Sequence, residues 1–287
     1  MKVLLTNERY PFWTKLQEEK TVREREMKRA VTWLTGLVLA SLSPVLWAQG
    51  PVVRICLGEG NEWAPFTYWE RKDGVPDTSR LTGSATTLVL DALEKSGLSY
   101  QIRYLPWARV QQELADYRQN GLCELTWDAS YKPERAEFAF YSVPLYYTRL
   151  GFFYLKRRFP DAPDLQMVNR SRVCGVIGYN YTPYGLAQEP RRVRQLQQAL
   201  DMLERDRCDF LPSEIEPLVS GISLGIYQSE SGLLNLVLPS RKQFYLLVSK
   251  GSPRAHELVN NLNQALVAFQ EGGHADEVMR RFLPPME

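Results

Sequence analysis

Two short stretches of this chain occur twice. Arg54-Ile55-Cys56-Leu57 is echoed by Arg172-Val173-Cys174-Gly175-Val176, and Asn120-Gly121-Leu122-Cys123-Glu124 by Asp206-Arg207-Cys208-Asp209-Phe210. Helix-forming sequence separates the members of each pair; in the second half it covers residues 191–204. Two β/α halves of about a hundred residues each bury their apolar faces as two lobes, and a cleft between lobes is a common place for a ligand. The rest of the pattern fits. Residues 52–57 read as a buried strand, Leu81-Thr82-Gly83 opens a helix that Gly97 stops, and residues 100–105 read as a second strand. A helix follows from Pro106 with Val110, Leu114 and Tyr117 at helical spacing. Residues 150–155 and 244–248 read as strands, residues 257–269 as an amphipathic helix stopped by Gly272-Gly273, and residues 276–283 as a short closing helix.

The halves do not begin at residue 1. Residues 1–26 carry eleven charges and no apolar period, which reads as an over-extended, disordered start. At Met27 the pattern changes to Lys28-Arg29, an uncharged apolar run, Pro44 and then Ala48, the grammar of a signal peptide over residues 27–48. A retained membrane anchor is the alternative, with Gly36, Ser41, Ser43 and Pro44 diluting the run against it. The segment 1–48 holds eight Lys/Arg and five Asp/Glu, so its removal takes the formal charge from +2 to about −1. A near-neutral mature chain argues against a nucleic-acid or anionic-membrane partner, both of which want basic surface.

Several chemistries are missing. The chain has two histidines, His256 and His274, and no Cys-x-x-Cys, so no zinc, redox site or other cofactor is expected. Gly58-Glu59-Gly60 lacks the third glycine of a dinucleotide loop, and no Gly-x-Ser-x-Gly occurs. No catalytic residue is assigned, and the chain is expected not to be an enzyme.

Residues 127–146 carry the most specific signal. A β-type run ends in polar residues that include Asp128, Ser130 and Arg135, with Pro133 suited to the first turn of a short helix, and Tyr141-Ser142-Val143-Pro144-Leu145 follows. The stretch resembles the signature of the family 3 extracellular solute-binding proteins, the periplasmic receptors of polar amino acid ABC transporters. Their pattern is Gly-x-x-Asp, Thr-x-x-Arg and Phe-Ser-x-Pro-Tyr; here Glu124 stands for the Asp and Lys132 for the Thr. The order of elements is kept over roughly residues 52–284. The resemblance implies an α/β, two-lobed periplasmic binding protein-like fold of type II, with two hinge crossings near residues 147–150 and 239–243. Lobe 1 would be residues 49–146 plus 243–287, and lobe 2 residues 147–242.

The resemblance also implies a site. Arg135 would clamp a ligand carboxylate through its planar fork, Trp63 of Trp63-Ala64-Pro65-Phe66 would lie over the ligand or else pack as core, and Glu214 would receive an ammonium. Glu214 could instead join Glu216 and Glu230 in a solvated acidic face. Tyr179, Asn180 and Tyr181 replace a Gly-Ser/Thr contact loop and could stack on the ligand or cap the lobe. Trp107 and Arg109 could face the cleft or finish a helix start, and Thr87 replaces an acid of the family pattern. In this architecture the cysteine-bearing strands would be neighbours, so Cys174 could pair with Cys208 and Cys56 with Cys123, or all four could be buried thiols. The expected function is capture of a small carboxylate ligand, such as an amino acid, by a periplasmic monomer that hands it to a membrane permease. The alternatives are a cyclohexadienyl or prephenate dehydratase-like enzyme on the same fold, with a cleft Glu as general acid, and a ligand-sensing module.

Overall fold

The computed structural model describes residues 52–60 and 62–283. The expected leader, residues 1–26 and 27–48, lies outside them. The strands in chain order are β1 (Val53–Gly58), β2 (Tyr68–Lys72), β3 (Val75–Thr82), β4 (Tyr100–Leu105), β5 (Leu125–Ser130) and β6 (Ala139–Tyr141), then β7 (Tyr146–Leu155), β8 (Cys174–Val176), β9 (Arg191–Val193), β10 (Leu211–Glu214) and β11 (Leu233–Ser249). The main sheet runs β10-β7-β11-β5-β1-β4, with β6 also paired to β11. β1 is parallel to β4 and β5, whereas β11 is antiparallel to β5 and β7. The architecture is the expected mixed α/β fold with two lobes.

β1 is buried at Val53, Ile55, Cys56 and Leu57, as a strand covered on both faces must be. The helices Ser84–Lys95 and Ala255–Glu271 pack together over this part of the sheet, burying Leu88, Val89, Ala92 and Leu93 against Leu258, Leu262 and Leu266. Nearby, the buried Glu124 accepts from Arg254 Nε and Nη2 and from the Ser252 hydroxyl. That acid is part of the scaffold.

The return path is one 17-residue strand, β11, where the sequence suggested a crossing and a separate strand. It pairs with β7 from Leu233↔Leu155 to Val237↔Gly151 and again from Arg241↔Arg149 to Phe244↔Tyr146. Between these runs the register slips, placing Leu238, Pro239 and Ser240 opposite Leu150. Pro239 has no N–H to give a ladder, so a bulge is where it fits. These are the two crossings, side by side in one sheet.

The second half repeats the first imperfectly. β8 has three residues and pairs with β9, which the sequence assigned to a helix; the helix itself begins at Leu196. The predicted helix through Tyr117 also breaks at Asp116, with the regular part spanning Trp107–Ala115. Cys56 is joined to Cys123 and Cys174 to Cys208, with Cα separations of 5.4 and 5.7 Å. The bridges close sequence separations of 67 and 34 residues, and loop-closure entropy for such loops is worth about 4 kcal/mol each. Denatured, unreduced protein is expected to show no free thiol, and reduction is expected to lower the urea midpoint sharply. Four titratable thiols in oxidised protein would contradict the pairing.

Candidate functional site: an aromatic cavity with a buried guanidinium

β5 does something a regular strand cannot. Its ladder with β11 runs Phe244↔Ser130 and Tyr245↔Ala129, then jumps to Leu247↔Thr126, so Trp127 and Asp128 together stand opposite Leu246. Asp128 sits at φ 60°, in the left-handed region that Asp tolerates better than most residues. Neighbouring strand side chains normally point to opposite faces; the bulge breaks that alternation and lets Trp127, Asp128 and Ser130 line one cavity. The Trp127 indole donates to Thr67 Oγ1 at 2.8 Å, and Asp128 Oδ1 accepts from the Tyr146 hydroxyl at 2.7 Å. Tyr146 is stacked between Phe66 and Phe244, with centroids 3.7 and 5.0 Å away.

The cavity encloses about 80 Å³, room for a few waters at their liquid share of about 30 Å³ each. Its walls are aromatic, with Trp63, Trp69, Tyr104, Trp107, Tyr179 and Phe244 among them. Trp63 is both core and lining: it is 7% exposed, meets Tyr179 edge-on at 5.6 Å and Phe244 at 5.9 Å, and its indole N–H has no acceptor.

Arg135 lies in the short helix Pro133–Phe138, with Pro133 in the first turn as expected. Its side chain is buried along the cavity wall, with the guanidinium 5.7 Å from the Trp107 ring. Nε donates to Gln111 Oε1 at 2.8 Å, Nη1 to the Ser130 carbonyl at 2.7 Å and Nη2 to the Gly178 carbonyl at 2.8 Å. Among the described residues none of the ion pairs includes it, and burial pulls its pKa down to about 10. A buried cation served by neutral carbonyls and an amide is a standing demand for an anion.

Glu214 ends β10 and reaches the same cavity, but its carboxylate is already engaged. Lys242, from β11, ion-pairs with Glu214 Oε1 and donates to the Asn180 carbonyl at 2.7 Å, with the rings of Tyr184 and Phe244 5.5 and 5.7 Å from Nζ. Burial lowers the Lys242 pKa, and Glu214 pulls it back up only in part. The sequence reading missed Lys242, although a signal was there: it shares strand parity with Phe244, Leu246 and Val248, which puts it in the buried register. Gln111, the support of the Arg135 fork, was also missed.

The other predicted residues divide. Trp63, Trp107, Asp128, Ser130, Arg135, Tyr179, Asn180 and Glu214 are brought together around one cavity. Tyr181 is not: its hydroxyl takes the Val176 N–H at 2.6 Å, and its ring packs with Tyr184 in a separate core cluster. Arg109 is turned to Glu113 in an i,i+4 pair, and Glu216 is held by Arg149. Thr87 bonds back to the Gly83 carbonyl at the helix start.

No family model and no curated protein matches this sequence. Solved structures do match in three dimensions. A histidine kinase sensor domain with similarity to periplasmic binding proteins superposes with TM-score 0.66 at 16% identity, covering 82% of this chain and 98% of that one. The fold is that of a periplasmic binding protein. A substrate-binding protein of an ABC uptake transporter from Streptococcus pneumoniae, solved with bound histidine, gives 0.65 at 17% identity over 81% and 93% of the two chains. An ancestral amino acid-binding protein described as a precursor of cyclohexadienyl dehydratase gives 0.62 at 15% identity over 80% and 95%.

Within this binding-protein fold Asp128 is the titrating group of the cavity. Burial pushes its pKa up to about 7, against the hydrogen bonds from Thr67 and Tyr146. Unfolded, an Asp titrates near ~3.9. Between those values the folded state keeps a proton that the unfolded chain has lost, so stability is full below about pH 4 and falls as pH rises through about 7. Asp128→Asn keeps an acceptor for Tyr146 and removes the fall. It is expected to exceed wild type at about pH 8 by up to about 4 kcal/mol, with the gap closing towards about pH 4 in urea unfolding. A gap that does not change with pH would contradict this.

Proposed function

We propose that the mature chain is a periplasmic solute-binding protein of the family 3 type that closes over a small carboxylate ligand and passes it to an ABC importer permease. The observation that carries the reading is Arg135, a buried guanidinium without a carboxylate partner among the described residues, aimed along an aromatic cavity. A carboxylate suits its fork and would compete with the Gly178 carbonyl for Nη2. The proposed lobes are residues 49–146 plus 243–287 and residues 147–242, with the cavity between them. Two disulfides fit an oxidising compartment, and residues 27–48 would direct export and be cut near Ala48.

The test is a thermal-shift screen of mature protein against small carboxylic acids, amino acids and amines. Ligand at a hundred times its Kd adds about 2.7 kcal/mol, which raises the midpoint of a chain this size by roughly 5–10 °C. No shift with any carboxylate would count against the reading. Asp128 supports a second reading, because a buried acid whose pKa is pushed up to about 7 beside an aromatic cavity is what a dehydratase-like general acid requires. Glu214, the cleft Glu that could otherwise take that role, is paired with Lys242. Incubation with prephenate, assayed for phenylpyruvate, separates the two readings.

A further inference from the structure

We infer that the ligand of this cavity is a small, largely apolar monocarboxylate with no ammonium group, because the protein's own Lys242 fills the place an ammonium would take. This rests on the carboxylate-binding reading and narrows it.

Three acidic side chains line the cavity: Glu62, Asp128 and Glu214. Glu62 is committed to Arg71 through both oxygens and also accepts the Trp69 backbone N–H. Glu214 is committed to Lys242, whose remaining donors go to the Asn180 carbonyl and two aromatic faces. These two pairs are neutral overall. That leaves one acid without a cation, Asp128, whose Oδ1 already accepts from Tyr146 and which burial drives towards its neutral form. Against it stands Arg135, a full charge without a counter-ion among the described residues. The cavity is therefore short of one negative charge, and a monocarboxylate supplies it. A zwitterion brings a second cation into a space that Arg135 and Lys242 already border, and such like-charge placement is how a site rejects a ligand. The aromatic walls favour a ligand body that needs no further hydrogen bonds. Protonated Asp128 can donate a hydrogen bond to the incoming carboxylate or to a carbonyl beside it, keeping its own proton.

Titration calorimetry with matched pairs differing only in the α-amine decides the point: propionate against alanine, butyrate against 2-aminobutyrate, and 3-phenylpropionate against phenylalanine. Wild type is expected to bind the amine-free member of at least one pair ten times more tightly or better. Lys242→Met is expected to shrink or invert that ratio, since Glu214 then faces the cavity without its cation; Lys242→Arg should preserve it. If Lys242→Met does not fold, the wild-type ratio and the Lys242→Arg variant still decide. Tighter binding of the amino acid by wild type overturns the inference, leaves the carboxylate reading in place and moves the ammonium to Asp128. Binding of neither member of any pair ends both.

Discussion

Arg135→Ala is expected to weaken every carboxylate ligand by at least roughly thirtyfold. Removing one partner of a buried, hydrogen-bonded charge pair typically costs about 2–5 kcal/mol, and about 1.4 kcal/mol corresponds to tenfold in Kd. The geometry points to a large effect, because Lys242, the other cation in the cavity lining among the described residues, is bound to Glu214. Folding stability should change much less than affinity. The variant loses the bonds to Gln111, Ser130 and Gly178, but it also removes a desolvated charge, and the two effects oppose each other. Arg135→Lys should be intermediate, since an ammonium keeps the charge and loses the fork. Calorimetry with a hit from the ligand screen reads the first effect and urea unfolding the second. Binding by Arg135→Ala within threefold of wild type would show that the carboxylate sits elsewhere.

Glu214→Gln is expected to act mainly on the fold. It strands the Lys242 ammonium in a buried site with one carbonyl and two rings for company, and breaking a buried ion pair from one side costs about 3–5 kcal/mol. In a domain of this size that is a midpoint drop of roughly 6–20 °C. Lys242→Met should be similarly harmful alone, because it leaves the Glu214 carboxylate unpaired. Glu214→Gln combined with Lys242→Met should recover most of the loss, a non-additivity characteristic of groups in direct contact. Thermal unfolding of the two singles and the double measures the coupling. Additive losses would mean that the two side chains do not depend on each other.

The sequence made the fold legible where burial imposes a period. β1, the helix Ser84–Lys95 and the helix Ala255–Glu271 were readable because their apolar spacing has no other use. The β2–β3 hairpin was not, since its second strand is exposed from Val75 to Arg80, polar from Asp77 to Arg80, and its register shifts between Trp69 and Glu70, so no alternation survives. The site was half legible. Arg135 and Trp63 stand in motifs, whereas the grouping of Trp127 with Asp128 depends on a left-handed residue inside a strand, which alternation alone cannot show. Lys242 changes the reading of Glu214 from 28 positions away, and such a pairing is visible only once β10, β7 and β11 are laid side by side.

β11 also governs when the molecule can be finished. β1, β4 and β5 can pair as soon as they are made, and β7 with β10 somewhat later, but in the main sheet these two groups meet only through β11. Its residues, Leu233–Ser249, come after those of every other described strand. Without β11 the path of the main sheet falls into two parts, β10-β7 and β5-β1-β4. Such a topology is an ordering device: the step that joins the two partial sheets waits for the last of their strands in chain order.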